Sequence, residues 1–216
     1  MNKPHGGAYF YALLVQSRSF PAPVLAGRPR AGCHVLVPAC RRPGSDFGGP
    51  VEETEQSYPP THWIPASSAN FTVSGRPTAY PVDFVVIHVT QETFPDAMRI
   101  FEDPQAKVSA HYMVASADGY IGQFVRERDI AWHAGNWDYN TRSIGIEHEG
   151  WIDRPDYFTE EMYRSSAALT AAVCERYGIP RTRERIIGHV EVPGSTHHDP
   201  GPYWDWDRYL RLVNAA

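Results

Sequence analysis

The clearest pattern in the chain is a run apolar at five of six positions, Val82-Asp83-Phe84-Val85-Val86-Ile87, rich in β-branched residues. It predicts a central strand buried on both faces. Thr93 is placed to cap a short helix with Pro95 in its first turn and Phe94, Met98 and Phe101 at helical spacing; Asp103-Pro104 stops it. Ala110 to Ala115 and Ile121 to Val125, joined through Asp118-Gly119, predict a β-hairpin. Ser143 to Glu149 alternates as a strand and ends at Gly150. The longest helix is predicted over Glu160 to Tyr177. Thr159 caps it, two glutamates suit its positive end, and Met162, Leu169, Val173 and Tyr177 form an apolar stripe. Gly178 and Pro180 terminate it. Ile186-Ile187-Gly188 reads as a short strand and Trp204 to Val213 as a closing amphipathic helix. Strands and helices interleave, so the expected fold is α/β, a central mixed β-sheet flanked by helices.

Ahead of Tyr58 the texture differs. Residues 1–57 hold 7 of the 19 prolines and 7 of the 17 glycines, too little apolar surface to offset the entropy of ordering. The expected organisation is a Pro/Gly-rich, non-domain leader over 1–57 and a folded domain over 58–216. The apolar patch from Ala8 to Val15 is short and interrupted by tyrosines, which does not make a signal peptide. Cys33 and Cys40 lie in this leader. They pair if the chain is exported, and are otherwise two ordinary thiols.

Composition narrows the function classes. A net charge of −5 argues against nucleic acid as the partner, because phosphate binding wants an excess of Lys and Arg. No run reaches 18 apolar residues, so no membrane-spanning helix is expected. Ten histidines in 216 residues point instead toward metal chemistry, and six tryptophans and twelve tyrosines toward a ligand groove.

His88 stands at the end of the buried strand, where open α/β sheets place ligands. His189 repeats the arrangement after Ile186-Ile187-Gly188. Asp199 follows in His197-His198-Asp199-Pro200-Gly201-Pro202, where the prolines restrict the backbone around the carboxylate. Two imidazoles and a carboxylate form a three-ligand zinc set that leaves a fourth position to water. The spacing is not that of HExxH. The residues alone leave the set open, since His197 or His198 would serve equally well as ligands.

Several segments in one order carry a resemblance: Val85-Val86-Ile87-His88-Val89-Thr90, Ser109-Ala110-His111-Tyr112, Ala131-Trp132-His133-Ala134-Gly135, Ser143-Ile144-Gly145-Ile146-Glu147, Gly188-His189, and Asp199-Pro200-Gly201-Pro202 leading to Trp204-Asp205-Trp206. Over roughly the last 130 residues the chain resembles the type 2, zinc-dependent N-acetylmuramoyl-L-alanine amidases, which share a fold with T7-type lysozyme and peptidoglycan recognition proteins. The resemblance implies one Zn2+ per chain on His88, His189 and Asp199. It also implies catalysis by Glu147 and a peptidoglycan or muropeptide substrate cut between N-acetylmuramic acid and L-alanine. Period-two alternation puts Glu147 and Glu149 on one strand face, and Glu149 is expected to be solvated or to act behind the site. The family often has Lys two positions before the metal carboxylate; here that position is His197, expected to steady the oxyanion.

His133 is expected to border the groove, as a substrate contact or as a histidine held by backbone hydrogen bonds. Trp132, with Trp137 and Tyr139, is expected to floor the groove, and Asn140 to bind substrate or fix the loop before Glu147. His111 reads as structural. The alternative function is a non-catalytic recognition protein of the same fold; the presence of all three ligands and Glu147 counts against it. A glycosidase built on Glu147 and Glu149 fails geometrically, because side chains two apart on one strand point the same way instead of flanking a bond. The expected enzyme is a monomer, secreted or in the cell envelope, or a phage lysin.

Overall fold

The computed structural model describes residues 58–216. The predicted leader, its apolar patch, and Cys33 and Cys40 lie outside the described residues.

A six-stranded mixed sheet runs in the order β1-β5-β4-β7-β3-β8, formed by β1 (His62–Trp63), β3 (Phe84–Ile87), β4 (Tyr112–Val114), β5 (Ile121–Gln123), β7 (Ser143–His148) and β8 (Ile186–Gly188). The apolar run after Pro81 sits where its composition requires. β3 pairs in parallel with β7 on one side and β8 on the other, and Val85, Val86 and Ile87 have no exposed surface. The predicted hairpin is present as antiparallel β4 and β5, and β4 continues the parallel sheet onto β7.

Helices cover both faces. Val85, Ile87, Tyr112, Val114, Ile144, Ile146 and Ile186 point toward α3 (Glu160–Tyr177) and α4 (Trp206–Ala215), building the larger core with Met162, Leu169, Val173, Tyr209 and Val213. On the other face Met113 and Phe124 pack with Ala97 and Phe101 of α1 (Phe94–Glu102). The expected α/β architecture is therefore the one observed.

The caps fall at their predicted places. Thr93 accepts from the Asp96 amide, Thr159 accepts from the Met162 amide, and Gly178 closes α3 in the left-handed conformation. The last helix begins two residues later than its apolar pattern implied. Asp205 is its cap, and Trp204 is instead buried among Tyr163, His148 and Tyr209.

Four short elements have no counterpart in the sequence reading. β1 exists by parallel pairing with β5, and β2 (Phe71–Thr72) pairs with β6 (Ile130–Ala131) in a separate two-stranded sheet. The six-residue α2 (Trp137–Arg142) is capped by Asn136 and leads directly into β7.

Candidate metal centre

Because β3 and β8 are parallel neighbours, the residues that follow them emerge at the same end of the sheet. His88 follows β3 and is 1% exposed; His189 follows β8 and is 5% exposed. His189 opens a single 3-10 turn to Glu191, whose carboxylate accepts from the Gly188 amide at 2.7 Å. The Asp199 carbonyl accepts from the Val190 amide at 3.0 Å, which ties the Pro-Gly-Pro segment to that turn. Asp199 Oδ2 then lies 3.2 Å from His88 Nδ1, and its Oδ1 lies 3.2 Å from His189 Nδ1. One ligand atom from each of the three buried residues falls within 4.8 Å of the others. These are the three residues that the family resemblance implies as ligands.

Burial opposes ionisation of Asp199, but the adjoining imidazole of His189 outweighs it and holds the carboxyl below its ordinary range. Burial, with His189 alongside, lowers His88 to about 4. Both shifts favour neutral imidazole beside carboxylate, the protonation states that bind a divalent cation.

Glu147 stands one residue beyond the Ile87–Ile146 pair of β3 and β7, next to His88. The residue as a whole is partly exposed, whereas its Oε2 is buried without a protein hydrogen-bond partner. Burial, and then the charge of Asp199, push its carboxyl well above the usual glutamate range. Glu149 takes a different part. Its carboxylate accepts from the amides of Phe94 and Ser116, anchoring the start of α1.

His197 is the exposed histidine of the group. Its ring stacks on His189 with centroids 4.3 Å apart and planes 17° from parallel, and its Nδ1 lies 3.9 Å from Asp199 Oδ1. Burial and His189 lower its pKa. His198 is exposed as well, and neither His197 nor His198 belongs to the buried trio.

His133 and Asn140 are both buried and hydrogen-bonded within the protein, in keeping with the structural alternative for each: a histidine held by hydrogen bonds and an asparagine that fixes the loop ahead of β7. His133 is 6% exposed; its Nδ1 is 2.9 Å from His88 Nε2 and its Nε2 is 3.2 Å from Ser143 Oγ. Asn140 is buried, and its Oδ1 accepts from the amides of His133 and Ala134 at 3.1 and 2.8 Å. Trp132 is partly exposed and its indole N–H donates to Thr72 Oγ1. Trp137 is 45% exposed, while Tyr139 packs on Phe84. His111 is structural, as expected, with its Nδ1 accepting from the Gly145 amide.

Arg76 was missed. It is 4% exposed and donates to the carbonyls of Glu127, Asp129, Asn140, Thr141 and Ser143, pinning α2 and the start of β7. An arginine between Gly75 and Pro77 gives no sequence signal other than that of a solvated loop. Ser143 was also missed, since a serine at a strand start is unremarkable.

The donor set fits zinc. Two imidazoles and a carboxylate, all buried, make the usual ligand set of an open hydrolytic site. Among the described residues only four buried side-chain polar atoms lack a partner, and two of them, His189 Nε2 and Glu147 Oε2, belong to this cluster.

The profile of the N-acetylmuramoyl-L-alanine amidase family matches residues 78–202. N-acetylmuramoyl-L-alanine amidase A of Achromobacter lyticus is 34% identical, covering 71% of this chain and 93% of that protein. The 1,6-anhydro-N-acetylmuramyl-L-alanine amidase AmpD of Citrobacter freundii is 32% identical over 94% of this chain and 93% of its own length. A solved structure of AmpD superposes with a TM-score of 0.59 at 29% identity, covering 74% of this chain and 98% of AmpD. The Escherichia coli amidase AmiD, solved with anhydro-N-acetylmuramic acid-L-Ala-D-γ-Glu-L-Lys, gives 0.52 at 27% identity, covering 63% of this chain and 59% of AmiD.

Proposed function

The chain belongs to the type 2 N-acetylmuramoyl-L-alanine amidase family, and we propose that it uses one zinc ion, held by His88, His189 and Asp199, to cut muramyl peptides. The enzyme hydrolyses the amide between the lactyl group of N-acetylmuramic acid and L-alanine of the stem peptide. The observation that carries this reading is the convergence of three buried ligands with Glu147 Oε2 free beside them.

When bound, zinc supplies Lewis acidity that makes a water nucleophilic near neutral pH and polarises a carbonyl. Glu147 takes the proton of the attacking water at its unpartnered Oε2. Its raised pKa lets it keep that proton long enough to deliver it to the departing amine of L-alanine. His197, on the open side of the cluster, donates a hydrogen bond to the carbonyl oxygen as charge develops there. Trp132 and the exposed Trp137 offer aromatic faces to the sugar. His133 and Asn140 act from behind the ligands.

The catalytic unit in this proposal is residues 58–216, acting as a monomer on peptidoglycan or on soluble muropeptides. It works in the cell envelope or outside the cell, as a secreted enzyme or a phage lysin. Among the described residues no helix is long and apolar enough to cross a membrane.

Elemental analysis of the wild type and Asp199→Ala, with amine release from peptidoglycan assayed on the same samples, tests the reading. About one zinc per chain, lost together with amine release in the variant, is the expected result. Release of sugar reducing ends without amines would overturn the amidase. Absence of zinc, with no gain on adding it, would overturn the metal site.

A further inference from the structure

We propose that His133 is a positioning residue that fixes the tautomer of His88. A proton-ordered chain from Tyr139 through Ser143 and His133 presents His88 to the metal with Nδ1 bare. The inference rests on the zinc reading above and adds to it the means by which one ligand is prepared.

The order of protons follows from the end of the chain. Ser143 Oγ lies 2.5 Å from the Tyr139 carbonyl oxygen, which can only accept, so the single hydroxyl proton points there. Toward His133 Nε2, at 3.2 Å, the same oxygen has only a lone pair to offer. The proton of that contact therefore sits on His133 Nε2.

His133 is buried, and no carboxylate is among its hydrogen-bond partners. A second proton on it would be an uncompensated buried charge, so the ring is neutral and Nδ1 is an acceptor. Nδ1 is 2.9 Å from His88 Nε2, which must then carry the donor proton. In a neutral imidazole with Nε2 protonated, Nδ1 has no proton. That bare nitrogen faces Asp199 Oδ2 at 3.2 Å. Two lone pairs in apposition are held together by a cation.

The local fold keeps the chain in this order. The His133 amide is clamped by Asn140 Oδ1, and its ring lies on Gly145, where a Cβ would stand 2.5 Å from the imidazole Cγ. Glycine at 145 thus makes room for the ring, and the terminal carbonyl cannot reverse its role. Metal-ligating histidines commonly donate their other N–H to such a partner, and loss of that partner costs about 10- to 100-fold in metal affinity or activity.

The test has two readouts besides turnover. Nitrogen-15 NMR of histidine-labelled, metal-free wild type should find His88 and His133 both protonated at Nε2. Zinc affinity measured by chelator competition should fall about 10- to 100-fold in His133→Leu. It should be largely retained in His133→Gln, whose carboxamide accepts at one atom and donates at the other. A zinc-binding wild type with His88 protonated at Nδ1 would overturn the relay and leave the metal site standing. Unchanged zinc affinity in a folded His133→Leu would overturn it as well. A wild type that binds no zinc would remove the metal reading and this inference together.

Discussion

Gly188 lies beneath Pro200: a Cβ on the glycine would stand 2.6 Å from the proline Cδ and 3.5 Å from the Asp199 carbonyl oxygen. The last residue of β8 is therefore what lets the carboxylate-bearing segment settle over the strand ends. Gly188→Ala is expected to destabilise the fold by about 1–3 kcal/mol through overpacking. It should also lower zinc affinity by about tenfold, because Asp199 moves with Pro200. Thermal unfolding and chelator competition on the same variant check both, and a variant with wild-type zinc affinity would separate Gly188 from the site.

Glu147→Gln should keep the metal and lose turnover by about 10²- to 10⁴-fold, the usual range for a positioned acid–base group. The pH dependence has a defined sign. Glutamate must be ionised to accept a proton, and burial and Asp199 raise its pKa. Activity in the wild type should therefore rise with pH through a midpoint above the ordinary glutamate value of 4.5. A pH profile of kcat/KM with its acidic limb at or below that value would contradict the role.

His197 carries little charge at neutral pH, since burial and His189 lower its pKa. Lysine at this position stays protonated to about pH 10. His197→Lys is expected to hold activity to higher pH than the wild type, whereas His197→Ala should lose about 10²-fold or more in kcat. Full turnover in His197→Ala would dismiss any oxyanion role.

His148 offers a test of stability and not of chemistry. Its two ring nitrogens are engaged by the His88 carbonyl oxygen at 2.8 Å and Ser166 Oγ at 2.6 Å, and burial lowers its pKa to about 3. Unfolded, it titrates near 6.5. The unfolded chain then binds the extra proton between these values, so the contribution is full above about pH 6.5 and is lost as pH falls toward 3. Between pH 6.5 and 5 this one group should remove about 2 kcal/mol of stability. Urea unfolding at both pH values, in the wild type and His148→Gln, measures it; equal slopes in the two proteins would discount the group.

The parts legible in sequence were those with local signals. Thr159 and Gly178 bracket α3 because a cap hydroxyl and a left-handed glycine are chemical requirements of helix ends. His88 and His189 were legible because each ends a short apolar strand. What stayed hidden depends on partners far along the chain. β1 and β2 have two residues each and exist only through β5 and β6. Arg76 is buried because carbonyls more than fifty residues away converge on it. The inward turn of His133 and Asn140 is a matter of side-chain direction that spacing does not encode.

His88 and Asp199 are separated by 111 residues, and β3, which leads into His88, joins β7, which carries Glu147, and β8, which leads into His189, only through long-range parallel pairing. Closing such loops is slow compared with forming the β4–β5 hairpin or α3. The chelating trio therefore has no counterpart in a partly assembled chain. Zinc uptake during refolding should lag behind the return of helical signal, making metal capture a clock for the completion of the central sheet.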